Sequence, residues 1–221
     1  MEENVKEKPL FTIEEKVNSF IHALGVIFAI IVFPTLINLT LVNQNPETLI
    51  SVIVYTTCYF LTFFFSTLYH GFTTLRLKAK FKLLDRISIY SFIAATYTPF
   101  IILYMYDAAG ITLLRIMWAL ALFGIVFELF LIKKWLFISV VFYLVMGWMF
   151  IVVNNRFFQF MSADIISLIL VGVFLYSFGV IFYVWKKWRF HHAIWHTFVL
   201  AGSICHFAAV WLSITNANSQ A

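Results

Sequence analysis

KKWRFHHAIWHTFVLAGSICHFAAVWLSI, Lys186 to Ile214, decides how the chain must be read. Lys186, Lys187 and Arg189 form a basic collar, and the residues from His191 to Ile214 that follow carry no Asp, Glu, Lys or Arg. About 20 apolar residues suffice to cross a bilayer as a helix, so this run is long enough. A cationic cluster abutting an apolar run is how membrane segments are oriented. Working back from it, residues 17–42, 49–72, 86–106, 111–132, 135–153 and 163–185 form six more such runs. Short polar stretches separate them: Asn43–Glu47, the cluster from Arg76 to Arg86, Asp107–Gly110, Lys133–Lys134, Asn154–Arg156 and Lys186–Arg189. Pro34 and Pro99 fall inside runs, where a membrane helix tolerates a kink.

Composition supports the same reading. Of 221 residues, 63% are hydrophobic and only 11% charged, far too little charge to cover a water-soluble surface. Mean hydropathy is +0.95. The net charge of +5 does not point to nucleic acid, because the basic residues sit in clusters between apolar runs. Expected, then, is an all-α integral membrane protein with seven transmembrane helices. A short segment 1–16 precedes them, the membrane domain covers 17–214, and an uncharged tail covers 215–221. Segment 1–16 is charged with both signs and is not a signal peptide, and Thr12-Ile-Glu-Glu15 reads as a capping box for the first helix. Cys58 and Cys205 lie within apolar runs and read as small buried hydrophobes.

Counting Lys and Arg by alternate loops orients the chain. Lys6, Lys8, Lys16, the Arg76–Arg86 cluster, Lys133, Lys134, Lys186, Lys187 and Arg189 fall on one side; Arg115 and Arg156 fall on the other. The basic side is the cytoplasm, which places the N-terminus inside and the C-terminus outside.

Against that topology, the polar residues within the runs form a pattern. Ser66 and His70 lie four apart near the end of the second run, Asp85 stands at the start of the third, and His192 and His196 lie four apart at the start of the seventh. A spacing of four puts each pair on one helix face, and all five sit at the same cytoplasmic depth. Three imidazoles with an acid and a hydroxyl are what a catalytic zinc site requires: three ligands, an open fourth position for water, and groups to hold or deprotonate that water. The opposing reading makes them interfacial polar residues at helix ends, with Asp85 balancing the basic cluster. Intramembrane ionisable residues favour the functional one. His22, one turn after Asn18, is at the same depth and reads as a hydrogen-bonded packing residue, with partner to a ligand or fourth ligand as the alternatives. His191 is a neighbour of the pair. His206 lies ten residues past His196, about 15 Å along the helix, too deep for the same site. Glu128 reads as an interfacial ion pair near Lys133.

These segments resemble the haemolysin III family, the bacterial branch of the progestin and adiponectin receptor superfamily, which is similar to the alkaline ceramidases. The likeness rests on Glu14-Glu-Lys-Val-Asn-Ser-Phe-Ile-His22, Ser66-Thr-Leu-Tyr-His70, Asp85 with Ala95-Thr-Tyr-Thr-Pro-Phe100, and His192-Ala-Ile-Trp-His196 running on to Gly202-Ser-Ile-Cys-His206-Phe207. It implies a seven-helix fold with the N-terminus inside, zinc on His70, His192 and His196, and Asp85 and Ser66 beside the metal's water. The expected function is a zinc-dependent hydrolase of lipid amides or esters in the bacterial plasma membrane, concerned with membrane lipid homeostasis. Two alternatives stand beside it: a pore-forming or membrane-perturbing haemolysin, and a zinc-containing lipid sensor without catalysis.

Overall fold

Helix α1 (Ile13–Val42) begins where the capping box places it. The Glu15 backbone N–H donates to Thr12 Oγ1 at 3.3 Å, one half of that motif. The computed structural model of the chain describes residues 12–42, 45–130 and 136–220. Segment 1–11 with Lys6 and Lys8, the turn residues Asn43 and Gln44, the Lys133–Lys134 turn and Ala221 lie outside the described residues. Helix α2 (Pro46–Gly71) is capped by Asn45, whose side chain accepts from the Thr48 N–H at 3.0 Å, with Pro46 in the first turn. Then follow α3 (Leu75–Tyr104), α4 (Ala108–Phe130), α5 (Leu136–Gly147), a 3₁₀ helix (Met149–Phe157), α6 (Ala163–Val184) and α7 (His191–Gln220). No strand occurs among the described residues.

Among the described residues six helices, α1 to α4, α6 and α7, are long and apolar enough to cross a membrane. Their outer faces carry exposed large hydrophobics such as Ile31, Phe123 and Phe174, a surface suited to lipid rather than water. The chain is a multi-pass membrane protein.

Three boundaries differ from the sequence reading. The basic stretch before Arg86 is not a loop but the first three turns of α3, because Lys, Arg and Leu are strong helix formers and no Gly or Pro interrupts them. Residues 215–220, expected as tail, continue α7. The fifth expected run is divided: α5 stops at Gly147 and a 3₁₀ helix carries on from Met149. The Tyr97 hydroxyl holds the break together. It lies 3.1 Å from the Met146 carbonyl and 2.9 Å from the Gly147 carbonyl, and accepts from the Phe150 N–H at 3.2 Å. An interrupted helix at membrane depth needs such a substitute partner.

Helix α3 is the axis, its second half buried from Ala94 to Ile101. Helix α2 packs on α3 and α1, α4 packs on α3, and α6 packs on α7, which returns to α1 and closes the bundle. Helices come close where side chains are small: a Cβ on Gly25 would overlap the Phe63 ring, and one on Gly172 would overlap the His206 ring. Arg86 of α3 meets Glu128 of α4 at 3.2 Å, and Ser139 of α5 donates to the other Glu128 oxygen at 2.6 Å. Glu128 is thus in an ion pair, as the sequence suggested, with Arg86 as its partner among the described residues. At the far end Arg156 donates to Asp107 at 2.6 Å. The Gly110 N–H, together with Arg156, holds the Asp107 carboxyl below the usual range.

Candidate metal centre

Histidines from three helices meet where α1 and α7 begin and α2 ends. His70 sits one residue before the last of α2 and is buried, 1% exposed. His192 and His196 occupy the first turns of α7. The chain enters α7 through Phe190 at φ 60, a left-handed conformation that costs a bulky residue about 1–2 kcal/mol. The helix then begins on Phe190, whose carbonyl accepts from Ile194 N–H at 3.0 Å. His191 Nδ1 lies 3.2 Å from the Phe182 carbonyl of α6 and holds this entry in place.

One ligand nitrogen each from His70, His192 and His196 lies within 4.8 Å of the others. The Nε2 atoms of His70 and His196 are 3.2 Å apart. Two nitrogens about 2.0–2.1 Å from one tetrahedral ion are separated by about 3.3–3.4 Å. The other ring nitrogens are engaged elsewhere: His70 Nδ1 with Glu15 Oε2 at 2.7 Å, and His196 Nδ1 with His22 Nε2 at 2.7 Å. Both imidazoles are therefore held from behind with Nε2 facing inward, the arrangement usual for metal-ligating histidines. Lys78 Nζ donates to the same Glu15 oxygen at 2.9 Å, which fixes that carboxylate. The donor set, three neutral imidazoles on rigid helices, fits a tetrahedral, borderline-soft divalent ion such as zinc.

Ser66, one turn before His70, is fully buried. Its hydroxyl is buried without a hydrogen-bond partner among the described residues, and it lines the same cavity as Asp85. Asp85 lies within electrostatic reach of His70. With Ser66, His22 and His196 it lines one end of a cavity of about 140 Å³. From there the cavity runs between α3, α5, α6 and α7 past Phe92, Val199 and Val173 to an aromatic floor of Phe100, Phe150 and Phe157. His206 lines the deeper part and donates from Nε2 to the Ile169 carbonyl at 3.1 Å. It stands apart from the triad, as its spacing predicts.

All five residues singled out in the sequence gather at this end of the bundle. Glu15 was missed. Its place in a capping motif accounted for it locally, and nothing in its own segment signals that α1 lies beside the end of α2. Cys58 and Cys205 are both free and half-buried.

The family described as Haemolysin-III related matches residues 11–207. The chain is 40% identical over 205 residues to the "Hemolysin-3 homolog" of Bacillus subtilis (strain 168), covering 91% of this chain and 95% of that protein. It is 38% identical over 213 residues to "Hemolysin-3" of Bacillus cereus, covering 95% and 96%. It is 30% identical over 132 residues to the human "Monocyte to macrophage differentiation factor", covering 59% of this chain and 54% of the human protein. No solved structure gives a significant match.

Proposed function

The chain belongs to the haemolysin III family, with distant relatives that fit the progestin and adiponectin receptor superfamily, and we propose that it is a zinc-dependent hydrolase of lipid amide or ester bonds in the bacterial plasma membrane. One observation carries the reading: the Nε2 atoms of His70 and His196 stand 3.2 Å apart while both Nδ1 atoms are bonded from behind. His192 completes the ligand set. A zinc ion held there supplies an acidified water, its pKa lowered towards about 7.

The chain's own residues do the rest. Asp85 takes the proton of the attacking water as the water oxygen bonds to the acyl carbon. The carbonyl oxygen becomes an oxyanion, and Ser66 donates a hydrogen bond to it. Asp85 then returns the proton to the departing nitrogen or oxygen as the acyl bond breaks, leaving a carboxylic acid and an amine or alcohol. The acyl chain lies in the cavity. The lining runs along α3 from Asp85 to Phe100, about 22 Å at ~1.5 Å per residue, so the acyl end would meet apolar and aromatic side chains.

The proposed topology has seven crossings, with the N-terminus in the cytoplasm and the C-terminus outside. Two contacts support it. His70 meets His196, so the end of α2 and the start of α7 share a side, and Asp107 meets Arg156, so the α3–α4 turn and the end of the 3₁₀ helix share the other. On this topology the stretch from α5 through the 3₁₀ helix makes a full crossing. Its length allows this: 12 α-helical residues at ~1.5 Å and nine 3₁₀ residues at ~2.0 Å add to about 36 Å.

Purified protein in vesicles carrying N-acyl and O-acyl lipids tests the activity. Release of free fatty acid that requires zinc and is lost in Asp85→Asn supports it; no turnover of any acyl lipid by zinc-loaded protein contradicts it and selects a sensor. The names of the Bacillus relatives favour a second reading, membrane perturbation. Conductance in planar bilayers that survives replacement of all three ligand histidines would select that one.

A further inference from the structure

We infer that His22, backed by Asn18, is a positioning residue for the metal centre, fixing the tautomer and ring orientation of His196. The inference rests on the zinc reading above and extends its His22–His196 contact to the protons that contact fixes and to Asn18.

His196 has two ring nitrogens and two duties. Its Nε2 faces His70 Nε2 at 3.2 Å and so must present a lone pair to the metal. A neutral imidazole then carries its proton on Nδ1. That Nδ1 lies 2.7 Å from His22 Nε2, which accepts the bond. His22, acting as acceptor through Nε2, carries its own proton on Nδ1. The His22 Nδ1 atom is buried and has no partner among the described residues. One turn earlier on the same face of α1, the Asn18 side-chain oxygen is also buried and also without a partner. Residues so enclosed, 3% and 2% exposed, do not keep a donor and an acceptor unsatisfied side by side. Asn18 Oδ1 is the acceptor that ends the chain, through one bridging water. The sequence of donors is then His196 to His22 to Asn18, and every proton is assigned by the demand that Nε2 of His196 be free.

The two rings meet edge-on, 4.2 Å between centroids at 75°, a geometry set by the hydrogen bond rather than by face stacking. A packing role would require only the volume of the His22 ring. A positioning role requires an acceptor at the Nε2 position. Phenylalanine keeps the first and removes the second, whereas glutamine places its amide oxygen near where Nε2 stood.

Zinc affinity in detergent, measured by competition with a chromophoric chelator, separates the two. His22→Phe should bind zinc 10–100-fold more weakly than the unaltered protein, His22→Gln should stay within about threefold, and Asn18→Leu should fall between them. Cobalt substituted for zinc should show a changed visible spectrum in His22→Phe and an unchanged one in His22→Gln. If His22→Phe does not fold, His22→Ala replaces it, and free imidazole should restore its affinity. Full affinity in His22→Phe, equal losses in the folded Phe and Gln variants, or no rescue by imidazole would overturn the inference while leaving the zinc reading intact. Unaltered protein that binds no zinc would overturn both.

Discussion

Glu15 bonds His70 Nδ1 at 2.7 Å and is itself bonded by Lys78, so its removal should be felt at the metal rather than in the fold. Glu15→Gln keeps the shape and loses the charge; zinc affinity should fall about tenfold, read by chelator competition, with little change in melting temperature. Asp85→Asn should do the opposite at the same site. It leaves the three imidazoles in place, so zinc remains stoichiometric while hydrolysis drops 10²-fold or more. Loss of zinc together with activity would show that Asp85 holds the ion rather than moving protons. The spacing of four between His192 and His196, and between Ser66 and His70, made those residues legible from the chain alone, because helical period and topology fix both face and depth. Glu15 and the role of His22 were not legible. Depth is a property of sequence position within a span, whereas lateral neighbours are set by how α1 leans on α2 and α7.

Pairs of elements are held by few polar contacts, each in an apolar setting, and removing one side of a contact should cost more than removing both. Glu128 has a side chain with no exposure, paired with Arg86. Glu128→Ala strands that guanidinium among α3, α4 and α5 and should destabilise by about 3 kcal/mol, seen as a lower melting temperature in detergent; pairing it with Arg86→Met should recover most of the loss. Tyr97→Phe leaves the Met146 and Gly147 carbonyls without their partner and should cost about 1–3 kcal/mol, loosening the wall of the cavity. Six helices were readable from hydrophobic length and charge. The fifth was read as continuous because Val140 to Val153 is apolar throughout, and only Gly147 hints at a stop. What ends α5 there is a hydroxyl from α3, 50 residues earlier in the chain, and no local pattern encodes it.

At the scale of the whole molecule, the fold brings the end of α2 and the start of α7 to one face and the Asp107–Arg156 contact to the other. In a background with Cys58 and Cys205 replaced, Gln159→Cys should react with a membrane-impermeant thiol reagent on intact cells, and Lys187→Cys should react only after the membrane is opened. The reverse labelling would invert the topology, and labelling of both from outside would deny that α5 and the 3₁₀ helix cross. The account stands or falls, however, on whether imidazoles from α2 and α7 share one cation. Metal analysis of the purified chain decides this: one zinc per molecule is expected, falling to near zero in folded His196→Ala. A folded His196→Ala protein that keeps its full zinc, or an unaltered protein that carries none, would contradict it.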